Sequence, residues 1–106
     1  MSSHIQIYWT SANREEARSV SQMLIEKHLV ACAHIESEME SLFFWEGKID
    51  HAKEVRCVFK TRTDLFNAVQ EAILANCSYS VPEILGVAIE TGNPAYLSWI
   101  DEVTTF

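Results

Sequence analysis

The sequence predicts an α+β domain, a ferredoxin-like βαββαβ sandwich with an additional C-terminal helix. Three observations predict it. Apolar and polar residues alternate with period two in separate runs, the mark of strands with unlike faces: Ile5, Ile7 and Trp9 in one, Val55, Cys57 and Phe59 in another. Helix-start signals at Asn13 and Thr63 stand between such runs. Residues 41–61, SLFFWEGKIDHAKEVRCVFKT, hold two strand-like runs around a turn at Glu46, Gly47 and Lys48, which is a hairpin with long arms.

In chain order, Ile5, Ile7 and Trp9 make the first strand. Asn13 followed by Glu16 has capping-box spacing, and Ala17, Val20 and Leu24 then share one helical face. That helix is expected to end near His28. Residues 30–35 return to strand character and run on through an irregular acidic interruption at Glu36, Ser37 and Glu38 towards residues 41–45. After the hairpin, Thr63 is expected to cap a second helix with Leu65 or Phe66, Val69 and Ile73 inward, ending around Asn76. Residues 83–90 read as the fourth strand. Asn93 before Pro94 opens the last helix, which carries Tyr96, Leu97, Ile100 and Val103.

Both crossover helices belong on one face of an antiparallel sheet, because each crossover is expected to be right-handed. The opposite face then lacks a covering layer within one chain. Leu42, Phe43, Phe44 and Trp45 are apolar on both faces of their strand, and apolar side chains of the first strand are expected to point to the uncovered face too. A large exposed apolar surface marks a contact, so the chain is expected to self-associate in a closed assembly.

Length and charge narrow the function. The 106 residues make a single domain, residues 1–106. With 15 acidic against 8 basic residues and a net charge of −7, no nucleic-acid partner is expected, since that role needs clustered cations. No apolar run is long enough to span a bilayer, so no membrane role is expected either. The three cysteines are odd in number, far apart and without CxxC. That pattern predicts no disulfide framework and a reducing, cytoplasmic location.

A further set of residues carries a resemblance. Glu26, Lys27, Leu29, Ala31 and Cys32 precede or open the second strand; Ser41, the run Trp45, Glu46, Gly47, Lys48, then Glu54, Lys60 and Thr61 follow; Tyr79, Pro82, Glu83, Gly92, Tyr96, Leu97 and Trp99 complete the series. In order and spacing these residues resemble the CutA divalent-cation tolerance family over nearly the whole chain. The resemblance implies a PII-like fold and a tight homotrimer, with sheets packed around a threefold axis. It implies a role in divalent-cation tolerance, chiefly of copper or another divalent cation weakly bound, without a catalytic step. Three positions depart from the family's common pattern. Phe43 stands where a Tyr is common, and Cys77 and Ser78 stand where a His-Pro pair is common.

For metal, Cys32 and His34 lie two apart on a strand and share a face; a thiol and an imidazole suit copper or zinc, while packing is the alternative for Cys32. Cys77, in a loop, is expected to be exposed and is the first choice for a metal-accessible thiol, with a turn role as the alternative. Cys57 reads as core, and His4, His28 and His51 read as surface histidines. Trp45, Lys60, Tyr79, Glu83, Tyr96 and Trp99 combine flat apolar surface with polar groups, the composition of a small-molecule pocket. By the resemblance they fall near the cleft between subunits. A PII-like sensor of a small metabolite or anion, and a trimeric scaffold for partner proteins, are the alternative functions; in the second, these residues and the run from Leu42 to Trp45 knit the trimer together. Enzyme signatures are lacking: the sequence has no HExxH, nucleophile elbow or glycine-rich phosphate loop.

Overall fold

In the computed structural model, which describes residues 2–105, the order is β1 (His4–Ser11), α1 (Arg14–Glu26), β2 (Cys32–Trp45), β3 (Lys48–Arg62), a short 3-10 turn (Thr63–Leu65), α2 (Phe66–Asn76), β4 (Ile84–Ala88) and α3 (Pro94–Val103). The strands form one antiparallel sheet in the order β2-β3-β1-β4. This is the ferredoxin-like arrangement that the alternating runs predict. No helix among the described residues is long and apolar enough to cross a membrane.

The core lies between the sheet and the two crossover helices. Ile5, Ile7 and Trp9 of β1 and Val55, Cys57 and Phe59 of β3 pack against Ala17, Val20 and Leu24 of α1 and Val69 and Ile73 of α2. Trp9 and Phe59 stack with ring centroids 6.3 Å apart. The apolar side chains of β1 therefore all serve this core, contrary to the expectation that some cover the other face; that face takes His4, Gln6 and Tyr8, the alternate positions.

The opposite face is not bare either. α3 lies against its edge: His4 meets Asp101 at 2.8 Å, Arg62 donates to the Thr104 hydroxyl and carbonyl, and Ile100 is completely buried yet separate from the main core. His28 joins this contact, its ring 3.1 Å from the Val103 carbonyl. The backbone of His28 ends α1 in a left-handed conformation (φ 58°). Its N–H reaches the Ile25 carbonyl and that of Leu29 the Leu24 carbonyl, the paired bonds of a Schellman motif.

The β2–β3 hairpin projects from this body. β1 pairs with β3 only from Val55 onward, so residues 39–45 and 48–54 form a two-stranded arm with no third strand beside it among the described residues. The arm stretches the molecule to 45 × 26 × 23 Å and its radius of gyration to 14.3 Å, above the roughly 13 Å of a compact chain this long. A two-residue turn closes it, with Glu46 at φ 49° and Gly47 at φ 80°, the two positive φ values of a type I′ turn. The acidic interruption is a bulge between Ile35 and Glu38 in a continuous strand. Two arginines hold it: Arg14 donates to the Glu36 carbonyl and Arg56 to its carboxylate.

Thr63 does not cap α2. Its hydroxyl donates to the Ser2 carbonyl, and the 3-10 turn starts the helix without a side-chain cap. Asn93 does cap α3, accepting from the Ala95 N–H.

Candidate functional site

Register divides the expected site residues into two groups. Glu54, Arg56, Val58 and Lys60 alternate onto the face of β3 that looks away from α1 and α2, opposite Met39 at one end and Cys32 at the other. Six residues of strand, about 20 Å, separate Glu54 from Lys60. Trp45, Tyr79 and Glu83 lie at the Glu54 end; Lys60, Tyr96 and Trp99 lie at the other, with Cys32 and His34. The six residues expected to make one constellation thus form two sites within a subunit.

At the Lys60 end, the Cys32 sulfur lies 3.4 Å from the Tyr96 hydroxyl, and the Lys60 ammonium donates to His34 Nδ1 at 3.4 Å. The thiol contact, then burial, push the Tyr96 phenol up to about 12, so it stays protonated at neutral pH. Tyr96 and Trp99 are in contact, with centroids 5.5 Å apart. Cys32 is half-buried and His34 is exposed. One thiol and one imidazole are a donor pair that suits copper or zinc, but a pair is short of the four ligands of a closed tetrahedral site. Among the described residues no three of His, Cys, Asp and Glu are grouped to hold an ion. The set therefore fits a weakly held, solvent-completed cation. Lys60 also opposes such an ion, being a fixed positive charge on the imidazole.

Cys77 is not part of this pair. It follows α2 on the helix side of the sheet, packs against the main core and donates its thiol to the Tyr79 carbonyl at 3.3 Å. The expectation of an exposed loop thiol is corrected: Cys77 is half-buried, and burial pushes its thiol up. The reason is the loop's anchor, which sequence spacing does not reveal. Glu16 accepts from the Ser78 N–H at 2.6 Å, the Ser11 hydroxyl at 3.1 Å and the Ala12 N–H at 3.3 Å. The predicted capping box is therefore half right. Asn13 accepts from the Glu16 N–H, while the Glu16 carboxylate leaves Asn13 for the neighbouring loop. Cys57 is fully buried, with the Ser21 hydroxyl on its sulfur, and burial pushes its thiol up as well.

At the other end, a cavity of about 790 Å³ opens between the arm and the loop of residues 78–83. Met39, Ser41, Phe43 and Trp45 alternate onto one face of the arm opposite Glu54, Ala52, Asp50 and Lys48. Glu54 is only 9% exposed. It faces Tyr79, whose phenol burial and this carboxylate together push up to about 12. Thr10 donates its hydroxyl to Glu83 at 3.1 Å. Glu54, Asp50 and Thr10 are absent from the pocket set that composition suggests; the register of the hairpin is the signal that finds Glu54 and Asp50, while Thr10 is placed by its bond to Glu83.

The arm's other face carries Leu42 and Phe44 opposite His51 and Ile49, and Leu42, Phe44 and His51 also border the cavity. Leu42, Phe44 and Ile49 are 71%, 73% and 77% exposed, against 38% for Phe43 and 43% for Trp45. Ile49 joins Leu42 and Phe44 as the cross-strand partner of Phe44, a residue the aromatic run does not include.

Comparison with known proteins gives one consistent result. A family model described as CutA1 divalent ion tolerance protein matches residues 5–103. A divalent-cation tolerance protein CutA of Archaeoglobus fulgidus is 41% identical over 93% of this chain and 96% of its own length. The chloroplastic protein CutA 1 of Oryza sativa subsp. japonica is 36% identical over 94% of this chain, which spans only 56% of that protein. Among solved structures, that of the periplasmic divalent cation tolerance protein CutA from Archaeoglobus fulgidus superposes with a TM-score of 0.94 at 40% identity, covering 96% of this chain and 99% of that one.

Proposed function

The chain belongs to the CutA1 divalent ion tolerance protein family, and from that premise we propose that it works in tolerance to divalent cations, copper first, as a metal-binding or regulatory homotrimer with no catalytic step. The observation that carries the metal reading is that Cys32 and His34 stand two apart on the sheet face turned away from α1 and α2. Two donors give weak, exchangeable binding, which suits buffering or sensing better than permanent holding. The bare two-stranded arm supports the assembly: an isolated hairpin is marginal in water, and its Leu42, Phe44 and Ile49 gain by being covered. Three free cysteines suit a reducing compartment, and the cytoplasm is part of this proposal.

Titration of the reduced protein with Cu(I) and Cu(II) tests it. Cys32→Ser and His34→Ala should each weaken binding about tenfold or more, the loss of one ligand from a two-donor site. Cys77→Ser, on the other side of the sheet, should leave it unchanged. Lys60→Met should tighten binding by removing the cation from His34. Undiminished affinity in Cys32→Ser would refute the site.

A second reading is supported by the cavity at the arm, which has the size of a ligand pocket: the protein senses a small molecule there, with metal a separate matter.

A further inference from the structure

Two histidines and an arginine, from three different elements, converge on the last turn of α3. His4 at the start of β1 meets Asp101 at 2.8 Å, and His28 after α1 meets the Val103 carbonyl at 3.1 Å. Arg62 at the end of β3 donates to the Thr104 hydroxyl and carbonyl. Ile100 and Thr104, both buried, lie at the same end. The N-terminal half of α3 is held differently. Tyr96 leans on Trp99, and the two are 39% and 38% exposed. Leu97 packs back on Gly92, just before the helix, where an added Cβ would lie 3.2 Å from it. This half reaches the sheet through the Tyr96 hydroxyl, 3.4 Å from the Cys32 sulfur.

We propose that the N-terminal half of α3 is a lid on Cys32, with the Tyr96 hydroxyl as its catch, and that the lid sets when this thiol meets a metal ion. The second part rests on the metal reading of Cys32 and His34 above and concerns the regulation of that same site.

The first argument is the asymmetry of attachment. Local opening costs least where few apolar groups are buried, and the fully buried side chain of α3, Ile100, is at the anchored end. Sulfur is a weak hydrogen-bond partner, as donor or as acceptor. The Arg62 bonds at the other end have an ionised donor, which makes them about twice as strong as neutral ones. The catch is therefore the lighter hold, and α3 opens from its N-terminal end.

The second argument is what the catch blocks. A cation on Cys32 has to come within about 2.3 Å of the sulfur, and the Tyr96 hydroxyl closes one side of that atom. Cys32 is half-buried, while His34, two residues on, is exposed. The imidazole is thus open and the thiol shut, so the thiol is the donor whose supply a movement can control.

The third argument is position. Cys32 and the assembly residues Leu42, Phe44 and Ile49 stand at opposite ends of the hairpin; ten residues of β2, roughly 30 Å of strand, separate Cys32 from Leu42. Cys32 also opens the edge strand of the sheet. The layer immediately over the thiol is the chain's own helix.

The experiment uses the assembled, reduced full chain without metal and follows alkylation of each cysteine by iodoacetamide with mass spectrometry. Tyr96→Phe, which removes the catch and keeps the ring, should speed Cys32 about fivefold, the loss of one ordinary hydrogen bond. His4→Ala, which loosens the anchored end without touching Cys32, should speed it too, and carries the test if Tyr96→Phe fails to assemble. Cys57, fully buried in the main core, is the internal control and should stay protected in both. In a Cu(I) titration, Tyr96→Phe should bind severalfold more tightly than wild type. Unchanged Cys32 rates in the variants, or no labelling of Cys32 in any assembled protein, would overturn the lid. A Cys57 rate that rises in step with Cys32 would overturn it as well, because the whole core would then have loosened. Faster Cys32 with copper affinity unchanged in both Tyr96→Phe and Cys32→Ser would keep the lid and overturn the metal reading. Weaker copper binding in Tyr96→Phe would make the phenol a ligand and overturn its role as a catch.

Discussion

Replacing Phe44 by Glu should abolish the proposed trimer. Full burial of a large apolar side chain is worth about 1.5–3 kcal/mol. With Leu42, Phe44 and Ile49 still 71–77% exposed in the single subunit, each has roughly 1–2 kcal/mol left to gain on assembly. The three together offer about 3–6 kcal/mol per subunit. Phe44→Glu forfeits one share and forces a carboxylate out of water, at a cost of several kcal/mol after relaxation. The net loss is then about 5 kcal/mol per subunit, more than a thousandfold in each association step. Size-exclusion chromatography with light scattering, at micromolar concentration, should show monomer or irregular aggregate. Phe44→Leu should keep the trimer. Circular dichroism checks that the sheet survives. Phe43→Ser, on the opposite face of the same strand and less exposed at 38%, should leave the assembly intact. A Phe44→Glu protein that runs as the wild-type trimer would refute the assignment of this face to assembly.

Two stability predictions follow from local geometry. Glu16→Ala removes the acceptor for the Ser78 and Ala12 N–H groups and the Ser11 hydroxyl, and should cost about 2–3 kcal/mol in chemical denaturation, since bonds to a charged group are worth about 1.5–3 kcal/mol each and do not add fully. Glu15→Ala, beside it in the first turn of α1, loses only a helix-end charge of about 0.3–1 kcal/mol; equal losses for the two variants would contradict the anchoring role. Gly47→Ala meets no atom within 4 Å of the added carbon, so its cost is conformational, about 1–2 kcal/mol for an L-residue at φ 80°, measurable as a lower denaturation midpoint with unchanged slope.

Most of the fold is legible in the residues because the controlling signals are periodic or local. Alternation through Ile5, Ile7 and Trp9 states which side of β1 is core, and Asn93 before Pro94 states where α3 begins. What is missed depends on contacts distant in sequence. Thr63 has the chemistry of a cap, but its hydroxyl is taken by Ser2, 61 positions earlier. Cys77 looks like an exposed loop thiol until Glu16, also 61 positions earlier, is seen to draw the loop onto the body through Ser78. The uncovered sheet face is partly covered because α3 returns to it. That return is fixed by His4, Arg62 and His28 through partners 97, 42 and 75 positions away.

The site residues show a different kind of failure, one that arithmetic along a strand repairs. Composition gathers Trp45, Lys60, Tyr79, Glu83, Tyr96 and Trp99 because each is the right type for a pocket. Parity along β3 correctly puts Glu54 and Lys60 on one face, but parity does not measure distance. Counting does: three pairs of residues at about 6.6 Å per pair separate them. Applied to the hairpin, the same counting pairs Phe43 with Asp50, Phe44 with Ile49 and Met39 with Glu54 across a two-residue turn. That register divides an arm which reads as uniformly apolar into a face where Phe43 opposes Asp50 and Met39 opposes Glu54, and a face where Phe44 opposes Ile49 and Leu42 opposes His51. A β-strand gives alternate residues to opposite sides, yet both sets border the cavity at the arm. A single-residue slip in register would exchange the faces, putting Phe43 and Trp45 where Leu42 and Phe44 now stand. The type I′ turn at Glu46 and Gly47 thus determines more than where the chain reverses: by setting the register, it decides which aromatics meet the carboxylates.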